Sequence, residues 1–203
     1  LGSLAICTVI YIAVAAVLAF WGGGLLLADR EWTAPAGDEL EVALLQGAIP
    51  QNEKWLAENR LATLERYRGL HREALGARII VWPESAIPML AREAMVFLES
   101  IRQESRARDS DVMIGLLQFD FDTAEIRNGL YSMSEAGDGW YFKRQLVPFG
   151  EFFPVPAFVR RWMRLMSLPY YDMTPGDVDQ PTLAAGGQRL AATICYEDAY
   201  GGD

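Results

Sequence analysis

Residues 4 to 27 carry no charged side chain, and nothing later in the chain repeats so long an apolar run. Twenty-four residues of helix reach about 36 Å, enough to cross a hydrocarbon core of about 30 Å with some tilt. No basic stretch precedes the run, and Leu26-Leu27-Ala28 is a poor small-x-small cleavage site. A transmembrane helix over residues 1–28 is therefore expected rather than a cleaved signal peptide. Arg30 sits between Asp29 and Glu31, so the flanking charges leave the orientation open. Pro35, Gly37 and several charges make residues 29–40 a linker.

Beyond the linker, short apolar runs alternate with helical patterns. Residues 41–46 read as a strand closed by Gly47 and Pro50. Asn52 is placed to cap a helix running to Leu75, with Gly76 as its stop. A buried strand over 78–82 ends at Pro83, a helix follows over 88–107, and a strand over 111–117. Strands over 127–134 and 140–146 flank Gly137-Asp138-Gly139 as a hairpin. Residues 148–176 are irregular, and strands over 181–185 and 189–194 close the pattern. The β-α-β-α-β order followed by further strands predicts a layered α/β domain over 41–203.

Within the irregular stretch, Phe158, Trp162, Leu165 and Met166 fall at i, i+4, i+7 and i+8. Arg160, Arg161 and Arg164 lie on or near the other face. Such a helix either rests in a membrane interface with its arginines at lipid phosphates, or packs on the domain core; periodicity does not separate the two.

Composition narrows the function. The formal net charge of −9 argues against nucleic acid as a partner. One histidine and two cysteines, one of them (Cys7) inside the apolar run, build neither a disulfide framework nor a familiar zinc or iron–sulfur ligand set. No metal and no cofactor is expected. The chain starts at Leu1 and stops eight residues after Cys195, which reads as a piece of a longer protein.

Cys195 ends the apolar run Leu190-Ala191-Ala192-Thr193-Ile194, as a buried strand delivers a side chain to a sheet edge. It is either a nucleophile or packing. A nucleophilic thiol needs a base, and His71, mid-helix beside Arg72 and Glu73, reads as a solvated surface residue. A carboxylate must serve instead. Glu84 follows a buried strand and Pro83, so two strands ending together would bring Glu84 and Cys195 to one edge. The alternative is that Glu84 is the first-turn acid of the next helix. The chain has only two lysines, Lys54 and Lys143, against sixteen arginines. At Lys143, beside Arg144, a compact ammonium can sit against a developing oxyanion.

Four blocks now stand in order: Trp82-Pro83-Glu84-Ser85, Tyr141-Phe142-Lys143-Arg144, Val147-Pro148-Phe149-Gly150-Glu151-Phe152-Phe153-Pro154 and Ile194-Cys195-Tyr196-Glu197. Together they resemble the nitrilase (carbon–nitrogen hydrolase) superfamily over residues 40–203, and within it the apolipoprotein N-acyltransferases. The resemblance implies a four-layer α-β-β-α sandwich and a Glu-Lys-Cys triad, with Glu84 as general base, Lys143 as oxyanion stabiliser and Cys195 as nucleophile. It implies supporting roles for Glu151, Tyr196 and Glu197, and places Trp55 at the site entrance. It also implies a phospholipid acyl donor, an apolipoprotein acceptor, and a catalytic domain on the periplasmic side of the bacterial inner membrane. The rival reading keeps the triad in a membrane-tethered amidase or nitrilase-type hydrolase of small molecules.

Overall fold

The computed structural model describes residues 2–35, 37, 39–166 and 172–200, the side chains of residues 2–5, 157, 163 and 164 excepted. The chain divides into two units between Glu39 and Leu40. The first holds one helix, α1 (Gly2–Ala28), long and apolar enough to cross a membrane, with its described side chains almost all exposed.

The second unit is a mixed α/β fold. Its main sheet has the order β1 (Val42–Leu44), β2 (Ile79–Val81), β3 (Asp111–Asp120), β4 (Glu125–Met133), β5 (Gly139–Phe142). The first three strands run parallel, and β4 and β5 are antiparallel additions. Strand alternation sorts side chains between two cores. Ile80, Trp82, Val112, Ile114 and Leu116 point to the face covered by α2 (Arg60–Ala74) and α3 (Met95–Arg106), where Leu64, Tyr67, Leu98 and Ile101 meet them. Ile79, Met113 and Tyr141 point to the opposite face, under Leu183, Ala185 and Ile194. That second cover is the hairpin of β6 (Leu183–Ala185) and β7 (Gln188–Leu190). A helix layer and two strand layers of the expected sandwich are thus seen among the described residues. Each fully buried Ile or Leu contributes roughly 1.5–3 kcal/mol.

Several boundaries differ from the sequence pattern, each for a local reason. The helix expected from Asn52 starts only at Arg60, because Glu53 and Lys54 both donate their N–H to the Pro50 carbonyl at 3.0 Å and close a turn. The helix expected from residue 88 starts at Met95. Its first residues follow β3 instead, with Ala86 N–H donating to the Gly115 carbonyl and Ala91 N–H to that of Leu117. β5 stops at Phe142, where the Gln180 side chain takes the place of a strand: its amide bonds both Phe142 N–H and Phe142 C=O at 2.7 Å. The strand expected over 189–194 ends at Leu190, since residues 191–194 pair with no strand among the described residues. The irregular region contains α4 (Ala157–Leu165).

His71 is the clearest correction. It is fully buried, not solvated, with Nε2 3.0 Å from Ser105 Oγ and its ring 5.8 Å from that of Trp82. Charged neighbours in sequence hid it: Arg72 turns outward to Glu104, while His71 faces inward between α2 and α3. Burial pushes its pKa from 6.5 down to about 4, with Glu104 pulling up and Arg72 and Arg68 pushing down. The unfolded chain therefore takes up the proton first. Stability present above about pH 6.5 should be lost as the pH falls toward about 4, on the order of 2–3 kcal/mol. In His71→Phe, Ser105 still donates to the Ile101 carbonyl. Thermal melts of that variant should show a shallower fall of Tm between pH 6.5 and 4 than wild type; parallel curves would refute the assignment.

Candidate active site

β1 and β2 run parallel and end on the same edge, and the segment after β2 carries Glu84 across that edge. Its path is tight. A Cβ on Gly115 of β3 would lie 2.3 Å from the Pro83 carbonyl oxygen and 2.6 Å from Glu84 Cα, so only glycine admits the segment. Ser85 follows in the left-handed region at φ 47°, a strained position for a residue with a side chain.

Lys143 follows β5 and is 1% exposed. Its Nζ donates to Glu151 Oε1 at 2.8 Å and to Glu84 Oε1 at 3.3 Å. Burial pushes this ammonium down, but the Glu151 hydrogen bond and the charges of Glu84 and Glu151 outweigh it and hold its pKa above 10.5. The two carboxylates thus favour the charged ammonium form of Lys143. Asn128, on β4, bridges the same two carboxylates: Nδ2 donates to Glu84 Oε1 at 2.6 Å and to Glu151 Oε1 at 3.3 Å. Glu151 Oε2 accepts the Val147 N–H at 2.8 Å.

Cys195 is exposed: its φ of 53° swings it out of line with the preceding run at the start of the turn Cys195–Ala199. Cys195 and Glu84 line one cleft of about 220 Å³ with Trp82, Pro83, Gly115, Leu130 and Ile194. Two residues on, Glu197 is buried and works as an acceptor. Its carboxylate takes the N–H groups of Arg144 at 2.6 Å, Gln145 at 3.2 Å and Ile194 at 2.7 Å, and the Tyr141 hydroxyl at 3.0 Å. It ties the turn bearing Cys195 to the residues directly after Lys143.

The structure thus brings Glu84, Lys143, Glu151 and Glu197 into one connected region with Cys195. Tyr196 is exposed beside the thiol, its ring edge-on to Tyr200 at 5.3 Å. Trp55 is half exposed on the turn before α2. On α4 and just after it, Phe158, Trp162, Leu165 and Met166 are all exposed, so this stripe is not packed on the domain core. Arg161 is exposed, and the Arg164 side chain lies outside the described residues. Arg160 is not free on the far face: it donates to the Val155 and Phe153 carbonyls and pairs with Asp172 at 3.4 Å. Asn128, Gly115 and Lys54, whose Nζ donates to the Glu84 carbonyl at 3.2 Å, were missed from sequence. Only Lys54 had a signal there, as one of two lysines. Among the described residues no cluster of three or more His, Cys, Asp or Glu side chains is arranged to hold a metal ion.

Two substitutions test this geometry. Gly115→Ala should cost about 1–3 kcal/mol of stability and lower the rate of Cys195 chemistry by more than the melt accounts for, since the intruding methyl shifts Glu84. Glu197→Gln turns an NH₂ donor toward main-chain N–H groups. It should cost about 2–3 kcal/mol, read as a Tm about 5–10 °C lower; an unchanged Tm would remove Glu197 from the scaffold.

Comparison with known proteins agrees with this architecture. The carbon–nitrogen hydrolase family matches residues 41–202. The chain is 38% identical over 180 residues to the apolipoprotein N-acyltransferase of Methylococcus capsulatus, covering 88% of this chain and 36% of that protein. It is 39% identical over 192 residues to that of Azotobacter vinelandii, covering 93% and 37%. The chain therefore spans little more than a third of the length of these curated relatives. Its fold is similar to the crystal structure of a carbon–nitrogen hydrolase from Helicobacter pylori, with a TM-score of 0.54 at 16% identity over 79% of this chain and 53% of that one.

Proposed function

The chain belongs to the carbon–nitrogen hydrolase family, and from that premise we propose that it is the catalytic part of an N-acyltransferase. Its donor is a phospholipid, and its acceptor is the N-terminal amine of a diacylglyceryl-cysteine apolipoprotein. The observation that carries the reading is the meeting of Glu84 with both Lys143 and the Cys195 cleft.

The Glu84 carboxylate takes the proton of Cys195. The thiolate sulfur attacks the ester carbonyl carbon of the donor, and the Lys143 ammonium faces the oxyanion. The carbon–oxygen bond to glycerol breaks, the leaving oxygen recovers the proton from Glu84, and an acyl thioester remains on Cys195. The acceptor amine then attacks the thioester carbon and loses its proton to Glu84. The carbon–sulfur bond breaks, and the returning thiolate is reprotonated. Glu151 and Asn128 hold the carboxylate–ammonium pair in place, Tyr196 positions the acyl chain, and Trp55 stands at the entrance.

Three features support a lipid donor. α1 is long and apolar enough to cross a membrane, and in this reading it tethers the domain to the outer face of the bacterial inner membrane. The exposed stripe of α4 suits a membrane interface. A cavity of about 410 Å³ starts at Arg144, directly after Lys143, and combines Leu146, Phe152 and Met173 with the Arg160 guanidinium and its partner Asp172, a mixed lining that can take a lipid with a polar head.

The test uses full-length protein in vesicles containing phospholipid with a labelled acyl chain. Label should appear on Cys195 as a hydroxylamine-labile thioester and move to an added diacylglyceryl lipopeptide. Glu84→Gln should slow acylation about 10²–10⁴-fold, and Cys195→Ala should abolish it. A Cys195→Ser variant with wild-type turnover would overturn the scheme. Hydrolysis of small amides without transfer to the lipopeptide would instead favour the amidase reading.

A further inference from the structure

Both lysines of this arginine-rich chain reach the same residue. Lys143 Nζ bonds the carboxylate of Glu84, and Lys54 Nζ donates to its main-chain carbonyl at 3.2 Å. Lys54 comes from the turn that replaces the first part of the expected helix, held by the Pro50 carbonyl and by Asn59 Nδ2 donating to the Glu53 carbonyl at 3.2 Å. With Glu84, Gly47 and Tyr67 it lines a second cavity of about 220 Å³. Glu84 therefore stands between two cavities, one holding the thiol and one holding this ammonium.

The residue that Lys54 grips lies in a tightly constrained segment. Glu84 precedes the strained Ser85, and its rear is pressed against Gly115. The Ala86 N–H bond to the Gly115 carbonyl restrains the segment beyond the strain, but the Glu84–Ser85 peptide plane is restrained by Lys54. An ammonium-to-carbonyl bond is charge-assisted, stronger than a neutral one, and lies in a partly buried place where water competes poorly. Burial lowers the Lys54 pKa, and the Glu84 charge opposes that fall.

We propose that Lys54 is a positioning residue for the base: by clamping the Glu84 carbonyl it fixes the peptide plane from which the carboxylate is aimed at Cys195. The proposal rests on Glu84 being the base. It also assigns the turn 51–55 a purpose, since a continuous helix from Asn52 would not have the Pro50-closed turn that delivers Lys54.

The experiment reads alkylation of Cys195 by iodoacetamide at pH 7 in the full-length protein, resolved by peptide mass spectrometry, which needs no knowledge of the acyl donor. Lys54→Met keeps the apolar stem and removes the ammonium. Its alkylation should slow about 10-fold, and Lys54→Arg, which restores a cationic donor, should recover most of that rate. In the acyl-transfer assay Lys54→Met should lower kcat by a similar factor, with the donor KM within about two-fold of wild type. A general loss of structure would lower Tm and would not be rescued by arginine without regaining it. Alkylation of Lys54→Met at the wild-type rate, beside a slow Glu84→Gln, overturns the role of Lys54 and leaves the base intact. Wild-type alkylation of Glu84→Gln overturns both. Rapid alkylation that responds to both residues, without any acyl transfer, supports Lys54 and refutes only the acyltransferase reading.

Discussion

The Lys143 ammonium lies almost wholly out of water between two carboxylates, and most of the site exists to make that tolerable. Desolvating such an ion costs several kcal/mol, which only close opposite charges and well-aimed acceptors offset. Glu84 and Glu151 supply the charge, and Asn128 separates and holds them. Asn128 depends in turn on strand register. It stands opposite Leu117 on β3, and its carbonyl accepts the Lys143 N–H at 2.8 Å. A slip of one residue in the β3–β4 ladder would send the amide to the other face of the sheet and leave the ion pair without its third member. Register and active-site electrostatics are here a single constraint.

Around that pair the backbone is under tension. Among the described residues, four of the six non-glycine residues with positive φ, namely Ala48, Ser85, Phe149 and Cys195, belong to segments that form the site. Such conformations cost of order 1–3 kcal/mol each and persist only where the surroundings over-determine them. The surroundings can be named: Gly115 behind Ser85, Glu197 beneath Cys195, and the Phe152 carbonyl accepting the Phe149 N–H at 2.7 Å.

The sequence made the β-α-β-α-β order legible, along with the four blocks that carry Glu84, Lys143, Glu151 and Cys195. Apolar strand cores and Pro or Gly punctuation are local signals, and the family blocks are short and contiguous. What stayed hidden is what distant segments do to one another. The burial of His71 depends on α3 arriving with Ser105, and the turn at Lys54 on Glu84 lying within reach. The short α3 depends on β3 offering carbonyls that outcompete a further helical turn. Exposure of Cys195 depends on a single dihedral angle. No periodicity over ten residues records any of these.

Glu197 has a consequence for how the candidate site is put together along the chain. Glu84, Lys143 and Glu151 all lie before residue 152, while the thiol and the carboxylate that anchors its turn arrive only with residues 195–197. Glu197 holds three main-chain N–H groups and a phenol at once, two of those N–H groups directly after Lys143. The position of the Cys195 turn is thus set by main-chain groups more than fifty residues earlier in the chain.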